Sequence, residues 1–304
     1  MNSEKVTKDF SEFIFNEISK TGIYTEFVYD RGNGFFIDKK NNKYEIKSSI
    51  GYFINDKSQK NDNEGSFDYL THYQKDAEEF DYFEERRGET AHDERRLREY
   101  ILSLIPNNVQ TILDAGCGRA WVAEYFCPKG VNVCSLDVAP KNVEKAKKLY
   151  DYPNHSGIVS DLLNLPFPDN FFDCIICSEV IEHIIEPQSL VNELFRCLKI
   201  GGFLILSTPY KEKISYTLCI HCNQKTPINA HLHSFDEIVL LNFFKKLKTE
   251  EMKYYLFGNK FLQYIRHHVL LKYFPFGFWK IFDKFFNLIY KKPTHIVLKI
   301  KKGG

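Results

Sequence analysis

Two glutamates and a histidine lie close together in the segment "SEVIEHI", residues 178–184, directly after the apolar run "FDCIIC". Glu182 and His183 follow Glu179 at spacings of three and four residues, which would place all three on one side of a helical turn. Carboxylates and an imidazole are able to hold a divalent cation, and an imidazole also serves as a general base. The segment therefore predicts a reactive site, with a helix start that is merely polar as the alternative.

The chain around this segment alternates between apolar strands and helices. Runs such as "TILDAG" and "VNVCSLD" are short and apolar without polar alternation, which is typical of parallel strands covered by helices on both faces. We predict an α/β fold with a Rossmann-like doubly wound sheet, mostly parallel with an antiparallel last strand. Ligands of such sheets bind beyond the carboxyl ends of the strands, where the strand order reverses.

Composition restricts the class of protein. Hydrophobic residues make up 43% of the 304 residues and charged residues 27%, as in folded soluble proteins. The polar beginning "MNSEKVTKDFSEF" is unlike a secretory signal, no apolar run is long enough to span a membrane, and the eight cysteines are scattered. We expect a cytoplasmic protein with reduced thiols, and membrane association is an open alternative.

A glycine turn follows the first strand of the α/β region, in "ILDAGCGRA". Asp114 ends the strand, while Gly116 and Gly118 let the backbone turn tightly and approach a ligand. Further acids close the next two strands, Asp137 in "VNVCSLD" and Asp161 in "IVSD". Asp137 is placed to accept hydrogen bonds from ribose hydroxyls.

This series of acids resembles the class I S-adenosylmethionine-dependent methyltransferases, over roughly residues 95–256 and the last strand near 294–302. In that family the glycine turn holds the methionine portion, the second acid the ribose and the third acid the adenine amino group. Arg119 and Ala120 stand where the family more usually has Thr-Gly, and we expect binding to survive because Ala is small. The resemblance implies these contacts to S-adenosyl-L-methionine: Asp114, Gly116, Cys117, Gly118, Asp137, Val138, Asp161, Leu162 and Glu179.

The segments "SEVIEHIIEP" and "LKIGGFLILSTP" resemble ubiquinone-pathway O-methyltransferases. There the two glutamates and the histidine have been proposed to hold a divalent metal, and a similar segment binds Mg²⁺ in RNA 3′-terminal 2′-O-methyltransferases. The resemblance implies Glu182 and His183 as catalytic residues, with His231 or His233 as a further metal ligand. The alternative needs no metal and makes His183 a base or an orienting group.

A second metal hypothesis concerns the segment "LCIHCNQKTPINAHLHSF". Its four candidate zinc ligands are Cys219, Cys222, His231 and His233. The alternative is a substrate-binding loop with thiols that hold no metal. The two metal hypotheses compete, because His233 is unable to serve both sites.

The chain divides into four predicted regions. A helical cap is expected to bring Tyr82 and residues 83–96 over the cofactor mouth. The predicted boundaries are a small β-rich unit at 1–60, a linker and helical cap at 61–94, a methyltransferase domain at 95–257 and 294–304, and an aromatic insertion at 258–293.

The insertion predicts an amphipathic helix over residues 278–290, with polar positions on one stripe and apolar ones opposite. Residues 244–302 also carry 14 Lys/Arg against 3 Asp/Glu, which favours an anionic partner or simply a solvated basic surface. Either the helix is a lid packed on the sheet, or residues 260–290 lie in a membrane interface as a peripheral contact.

We predict an S-adenosylmethionine-dependent methyltransferase that acts on a small or lipid-linked hydroxyl compound. The strand end "STPY" differs from the N-P-P-Y motif used on planar amino groups, which favours an oxygen acceptor. One alternative is an RNA 2′-O-methyltransferase, although nucleic acid is not the expected partner. Another is a cofactor-binding protein without catalysis.

Overall fold

The computed structural model describes residues 9–30, 33–54, 67–220, 223–266 and 268–304. The helices in these ranges are α1 (Phe10–Ser19), α2 (Tyr69–Glu79), α3 (Gly88–Leu102), α4 (Trp121–Phe126), α5 (Pro140–Leu149), α6 (Pro187–Cys197), α7 (Glu237–Asn242), α8 (Lys260–Tyr264), α9 (His268–Leu271) and α10 (Phe276–Ile289). The strands are β1 (Tyr24–Asp30), β2 (Asn33–Asp38), β3 (Lys43–Lys47), β4 (Ile50–Tyr52), β5 (Thr111–Ala115), β6 (Asn132–Asp137), β7 (His155–Val159), β8 (Phe172–Ser178), β9 (Leu198–Pro209), β10 (Tyr216–Leu218), β11 (Lys225–Pro227), β12 (Thr249–Phe257) and β13 (His295–Lys302).

The chain forms two compact units. The first comprises Met1–Phe83, Asn108–Ile176 and Asn192–Gly202, and the second comprises Glu84–Asn107, Cys177–Val191 and Phe203–Gly304. Strands β8 and β9 contribute residues to both units.

Strand order within the first unit is β1-β2-β3-β4-β7-β6-β5-β8, and β4, β7, β6, β5 and β8 are mutually parallel. The chain builds outward from β5 to β6 and β7, and then returns to place β8 on the opposite side of β5. This reversal is the topological switch point at which α/β sheets bind ligands. The second unit contains the order β9-β13-β12, in which β13 is antiparallel to both neighbours. The predicted α/β, Rossmann-like fold is confirmed.

The N-terminal strands extend this parallel sheet. The turn "KKNN" joins β2 to β3 as a hairpin, and β4 then pairs with β7 in parallel. Phe15 and Phe36 pack edge to face beneath these strands and are fully buried. The predicted domain boundaries remain a prediction. No helix of the described residues is long and apolar enough to cross a membrane.

The insertion in the second unit forms α8, α9 and α10. Arg96 of α3 is buried and donates hydrogen bonds from Nη2 to the carbonyl oxygens of Leu271 (2.6 Å) and Phe274 (2.8 Å). Trp279 and Asp283 face inward from α10, each with an exposed fraction of 3%. Burial raises the pKa of the Asp283 carboxyl to about 7.

This buried carboxyl predicts a pH-dependent stability. Asp283 binds its proton more tightly in the folded protein than in the unfolded chain, so the free energy of unfolding falls as pH rises towards about 7. We expect Asp283→Asn to be more stable than the wild type by about 2–4 kcal/mol at pH 8, and by much less at pH 4. Chemical denaturation followed by tryptophan fluorescence, from Trp121 and Trp279, measures the difference. An equal difference at both pH values, or the same trend in the exposed control Asp151→Asn, would contradict the prediction.

Candidate active site

The glycine turn lies in the first unit, between β5 and α4. The backbone N–H groups of Gly116 and Cys117 donate to the carbonyl oxygen of Leu136 at 2.9 and 2.8 Å, which ties the turn to β6. Gly116 and Gly118 have φ angles of +76° and +48°, a left-handed region in which a side chain is strained. Ala120 shares this region, with φ +52°, at the position where the family usually has glycine. The turn therefore leaves a bare stretch of backbone at the carboxyl end of β5.

Asp137 at the end of β6 organises this turn. Its carboxylate accepts hydrogen bonds from the backbone N–H groups of Gly118 and Ala139, both at 2.9 Å. Asn142 approaches the same carboxylate at 3.4 Å, and burial raises the pKa of Asp137 above its ordinary value. These donors fix the orientation of the carboxylate at the end of β6.

Asp161 follows β7 at the same edge of the sheet. The hydroxyl of Tyr69 on α2 donates to Asp161 Oδ2 at 2.5 Å, and the N–H of Leu163 donates to Oδ1 at 2.9 Å. Tyr82 lies over the turn, because a Cβ built at Gly118 would come within 3.5 Å of its ring. Of the implied cofactor residues in this unit, Asp114, Cys117 and Leu162 are also buried, while Val138 is half-buried. Helix α2 thus supplies Tyr69 as a hydrogen-bond donor to Asp161, a contact that the sequence did not predict.

This part of the first unit fits S-adenosylmethionine by the chemistry of its donors and acceptors. Glycine backbone beside a carboxylate suits a ribose, and a second carboxylate beside it suits an amino group. Glu179, the remaining implied cofactor residue, belongs to the second unit.

Replacement of Asp137 tests the assignment. We expect Asp137→Ala to weaken the binding of S-adenosylmethionine by about 1–3 kcal/mol, since a hydrogen-bonded buried acceptor is lost. That is about a 5- to 150-fold rise in the dissociation constant, to be measured by isothermal titration calorimetry. Asp151→Ala removes an exposed carboxylate of the same unit and should bind as the wild type does. Equal affinities for Asp137→Ala and the control would refute the role.

In the second unit, two neighbouring residues of β9 hold the two glutamates. Ser207 Oγ donates to Glu179 Oε1 at 2.9 Å, and Thr208 Oγ1 donates to Glu182 Oε2 at 3.0 Å. Glu179 adopts the left-handed conformation with φ +56°. A left-handed backbone conformation is strained in residues other than glycine, and such strained residues are concentrated at functional sites. The strand end "STPY" therefore positions the acids of "SEVIEHI".

Glu182, His183 and His231 form the group of metal-ligating side chains that is found among the described residues. One potential ligand atom from each lies within 4.8 Å of the others. Glu182 is 1% exposed, and within the described part of the chain its Oε1 has no hydrogen-bond partner. Burial, and then the charge of Glu179, raise the pKa of Glu182 well above its ordinary value. A buried carboxylate oxygen without a partner among the described residues, in a group with two imidazoles, fits a divalent cation.

The two histidines are held by different partners. Glu212 Oε2 lies 2.5 Å from His231 Nδ1, so that Nδ1 carries the proton and Nε2 is left as a ligand. His183 Nδ1 lies 3.4 Å from the carbonyl oxygen of Ala230, and the two imidazole rings meet edge to face at 4.8 Å.

The zinc hypothesis stays a prediction. Cys222 lies outside the described residues, and Cys219 and His233 do not join the Glu182 group. His233 is instead linked through its backbone, whose N–H donates to the carbonyl oxygen of Glu182 at 3.3 Å.

A cavity of about 380 Å³ lies in the second unit, beside Glu179. Its lining carries four carboxylates and one imidazole, and the insertion contributes Gln263 of α8, whose amide donates to Asp93 Oδ2 at 2.8 Å. The lining residues are Glu89, Thr90, Asp93, Glu94, Leu97, Glu179, Gln263 and His295.

His295 is the functional candidate that sequence reasoning missed. Its Nε2 lies 3.8 Å from Glu179 Oε2, its Nδ1 lies 2.9 Å from Thr294 Oγ1, and its ring stacks on Phe257. His295 is the first residue of β13, 116 positions after Glu179, and it stands in no motif. The only sequence signal for it was a histidine at the start of the last strand.

Part of the chain resembles known proteins. Residues 113–206 match the family described as "Methyltransferase domain". A ubiquinone biosynthesis O-methyltransferase of Rickettsia conorii is 31% identical over 149 residues, which are 46% of this chain and 48% of the relative. The corresponding protein of Xylella fastidiosa is 30% identical over 131 residues, 40% of this chain and 51% of its own. The chain spans about half the length of these curated relatives.

A solved structure from Listeria monocytogenes, described as a candidate S-adenosylmethionine-dependent methyltransferase, has a TM-score of 0.50 and 12% identity. It covers 69% of this chain and 100% of its own, a likeness that concerns the fold alone. The match of residues 113–206 to a methyltransferase domain bears out the predicted class, that of the class I S-adenosylmethionine-dependent methyltransferases, for this part of the chain.

Proposed function

We propose that the protein is an S-adenosylmethionine-dependent O-methyltransferase whose acceptor is a small or lipid-linked hydroxyl compound. The methyltransferase domain and the ubiquinone-pathway relatives support the reaction class. The observation that favours an oxygen acceptor is the group of Glu182, His183 and His231. In this group the buried Oε1 of Glu182 has no hydrogen-bond partner among the described residues. An oxygen acceptor must lose a proton before or during transfer, and this group suits a cation that promotes the loss.

The first unit binds the methyl donor in this proposal. When bound, S-adenosylmethionine supplies a methyl group already activated by a cationic sulfur. Asp137 accepts hydrogen bonds from the ribose, Asp161 accepts one from the adenine amino group, and the bare backbone of Gly116 and Gly118 admits the methionine portion. These residues contribute alignment rather than covalent chemistry.

Glu182, His183 and His231 would hold a divalent cation, and Glu212 would keep His231 in the ligating tautomer. Such a cation supplies Lewis acidity that lowers the pKa of a hydroxyl group. Thr208 fixes one oxygen of Glu182 and leaves the other oxygen to the cation.

His295 takes the acceptor's proton at Nε2. The imidazole lines the cavity, and the carboxylate of Glu179 at 3.8 Å stabilises the positive charge that the ring then gains. Thr294 and Phe257 hold the ring in place.

The cavity lining favours a neutral or cationic acceptor. Four carboxylates would repel a polyanion such as RNA, so RNA methylation is the weaker alternative. Hydroxyl groups, by contrast, donate hydrogen bonds to carboxylates. Because the insertion lines the cavity through Gln263, the acceptor's binding site is continuous with helices whose outer surface is apolar, as would suit a lipid-linked compound.

The test uses the full-length protein, methyl-tritiated S-adenosylmethionine and extracts separated into lipid, aqueous small-molecule and RNA fractions. We expect a labelled product in the lipid or small-molecule fraction, with the methyl group on oxygen by mass spectrometry. Treatment with EDTA should abolish labelling, and Mg²⁺, Mn²⁺ or Zn²⁺ should restore it. Label confined to RNA would favour the alternative, and activity that persists in EDTA would remove the cation from the proposal and leave His183 free to act as a base.

A further inference from the structure

Helix α10 presents its apolar side outward. Its inward side carries Trp279 and Asp283, whereas Ile281, Phe285 and Leu288 point away from the protein with exposed fractions of 73%, 56% and 69%. A lid packed on the sheet would place these apolar side chains inside, because their burial is what stabilises such a helix. The lid hypothesis accounts for the inward side of α10, where Trp279 packs against Phe257 of β12, but not for these outward apolar side chains.

Hydrogen bonds fix this orientation. Asn287 Nδ2 donates to the carbonyl oxygen of Gly258 at 3.0 Å, and Asn259 Nδ2 donates to Asn287 Oδ1 at 2.9 Å and to the carbonyl oxygen of Tyr290 at 2.8 Å. Asn259 is 1% exposed. A rotation of α10 that buried its apolar side would break these bonds and leave buried amides unpaired, at a cost of about 1–3 kcal/mol for each.

Exposed apolar side chains also occur on α8, α9 and the turn before α10, and the stacked pairs Phe261–Tyr290 and Phe274–Phe278 join α8 and this turn to α10. Nine apolar or aromatic side chains of this surface are more than half exposed, and we call them the outer apolar face: Tyr264, Ile265, Val269, Leu270, Tyr273, Ile281, Phe285, Leu288 and Ile289. Contiguous exposed apolar surfaces of this kind mark sites of interaction with a partner or a membrane.

Basic side chains accompany the outer apolar face. Residues 260–292 contain seven Lys or Arg and one acid, Asp283, which is buried. Six of the basic side chains are exposed: Lys260, Arg266, Lys272, Lys284, Lys291 and Lys292. Apolar side chains with exposed lysines on a surface helix are the composition of segments that lie in the interface of an anionic membrane.

We propose that the outer apolar face docks on an anionic lipid surface. A second copy of the chain fits less well, because a symmetric contact would bring the basic residues of one copy against those of the other. On a membrane the same charges meet lipid phosphates, while the apolar side chains enter the boundary between headgroups and acyl chains. The proposal stands apart from catalysis, since vesicle binding needs neither cofactor nor turnover.

Co-sedimentation of the full-length protein with vesicles tests the proposal. We expect strong binding to phosphatidylcholine vesicles that contain 30% phosphatidylglycerol, and at least tenfold weaker binding to phosphatidylcholine alone. The variant Ile281→Ser/Phe285→Ser/Leu288→Ser should bind at least tenfold more weakly than the wild type. Lys284→Glu/Lys291→Glu/Lys292→Glu should lose the preference for anionic lipid, and 1 M NaCl should weaken wild-type binding.

A matched control replaces three exposed apolar side chains elsewhere in the second unit, in Leu218→Ser/Ile220→Ser/Ile238→Ser. It should bind within twofold of the wild type, and equal loss in this control would overturn the proposal. The proposal would also be overturned if the wild-type protein stayed in the supernatant at 1 mM lipid. Light scattering tests the second copy. If the wild type binds no vesicles and is a dimer, and Ile281→Ser/Phe285→Ser/Leu288→Ser is a monomer, the outer apolar face is an interface between two copies. A protein that binds vesicles but transfers no methyl group would contradict only the proposed function.

Discussion

Glu182→Gln is expected to lower kcat by about 10³-fold or more, because the amide replaces the one anionic ligand of the proposed cation site. A bound cation supplies several kcal/mol of transition-state stabilisation, and each 1.36 kcal/mol is tenfold in rate. Glutamine has the shape of glutamate and keeps an oxygen for the hydrogen bond from Thr208, so the variant should fold. The affinity for S-adenosylmethionine should stay within about threefold of the wild type, because Glu182 is not among the residues proposed to bind the methyl donor.

Thermal stability gives a second readout that does not depend on turnover. The melting temperature of the wild type should rise when Mg²⁺, Mn²⁺ or Zn²⁺ is added in excess, since a ligand that binds only the folded state stabilises it. The melting temperature of Glu182→Gln should not rise when these cations are added. Glu186→Gln, which changes an exposed glutamate four residues away, should behave as the wild type in both assays. A Glu182→Gln enzyme that retains a tenth of the activity, or that is still stabilised by the cations, would refute the cation site.

His295→Ala is expected to lower kcat by about 10²- to 10⁴-fold, the usual contribution of a general base. The acceptor's proton must then pass to solvent instead of to the ring. Added imidazole should restore part of the activity, since the cavity of about 380 Å³ that His295 lines has room for it.

The affinity of His295→Ala for S-adenosylmethionine serves as its control and should be unchanged. This variant also loses the stacking of His295 on Phe257, so its thermal stability must be measured alongside. Less than a tenfold loss of kcat in a folded variant would show that another group takes the proton. His183 would then be the first candidate, in keeping with the alternative that needs no metal.

The arrangement of the strand-end acids and the glycine turn in the first unit was predictable because its geometry is local. Asp114, Asp137 and Asp161 each follow a strand, and the carboxyl ends of parallel strands share one edge of a sheet. The glycine turn likewise depends on φ angles that glycine adopts freely, within a few residues of sequence. The orientation of Tyr69 toward Asp161 was not predictable, because it depends on how α2 packs.

The two groups of side chains in the second unit depend on contacts between residues that are distant in the chain. His231 joins Glu182 and His183 from 48 residues further along, and His295 meets Glu179 through a strand that closes the fold. In the sequence His231 and His233 were equal candidates. The tertiary fold distinguishes them, because Glu212 lies against His231 while His233 stays outside the group.

The sequence by itself determined the α/β class, the strand-end acids and the amphipathic character of α10, because each follows from residue type and spacing along a few turns or strands. Only the tertiary structure decided which side of α10 meets the protein. An amphipathic pattern fixes two sides but not their direction, and here Asn259, Asn287 and Asp283 provide polar partners on the inside. Burial of Glu182 was decided in the same way, since a carboxylate is ordinarily exposed unless distant residues enclose it.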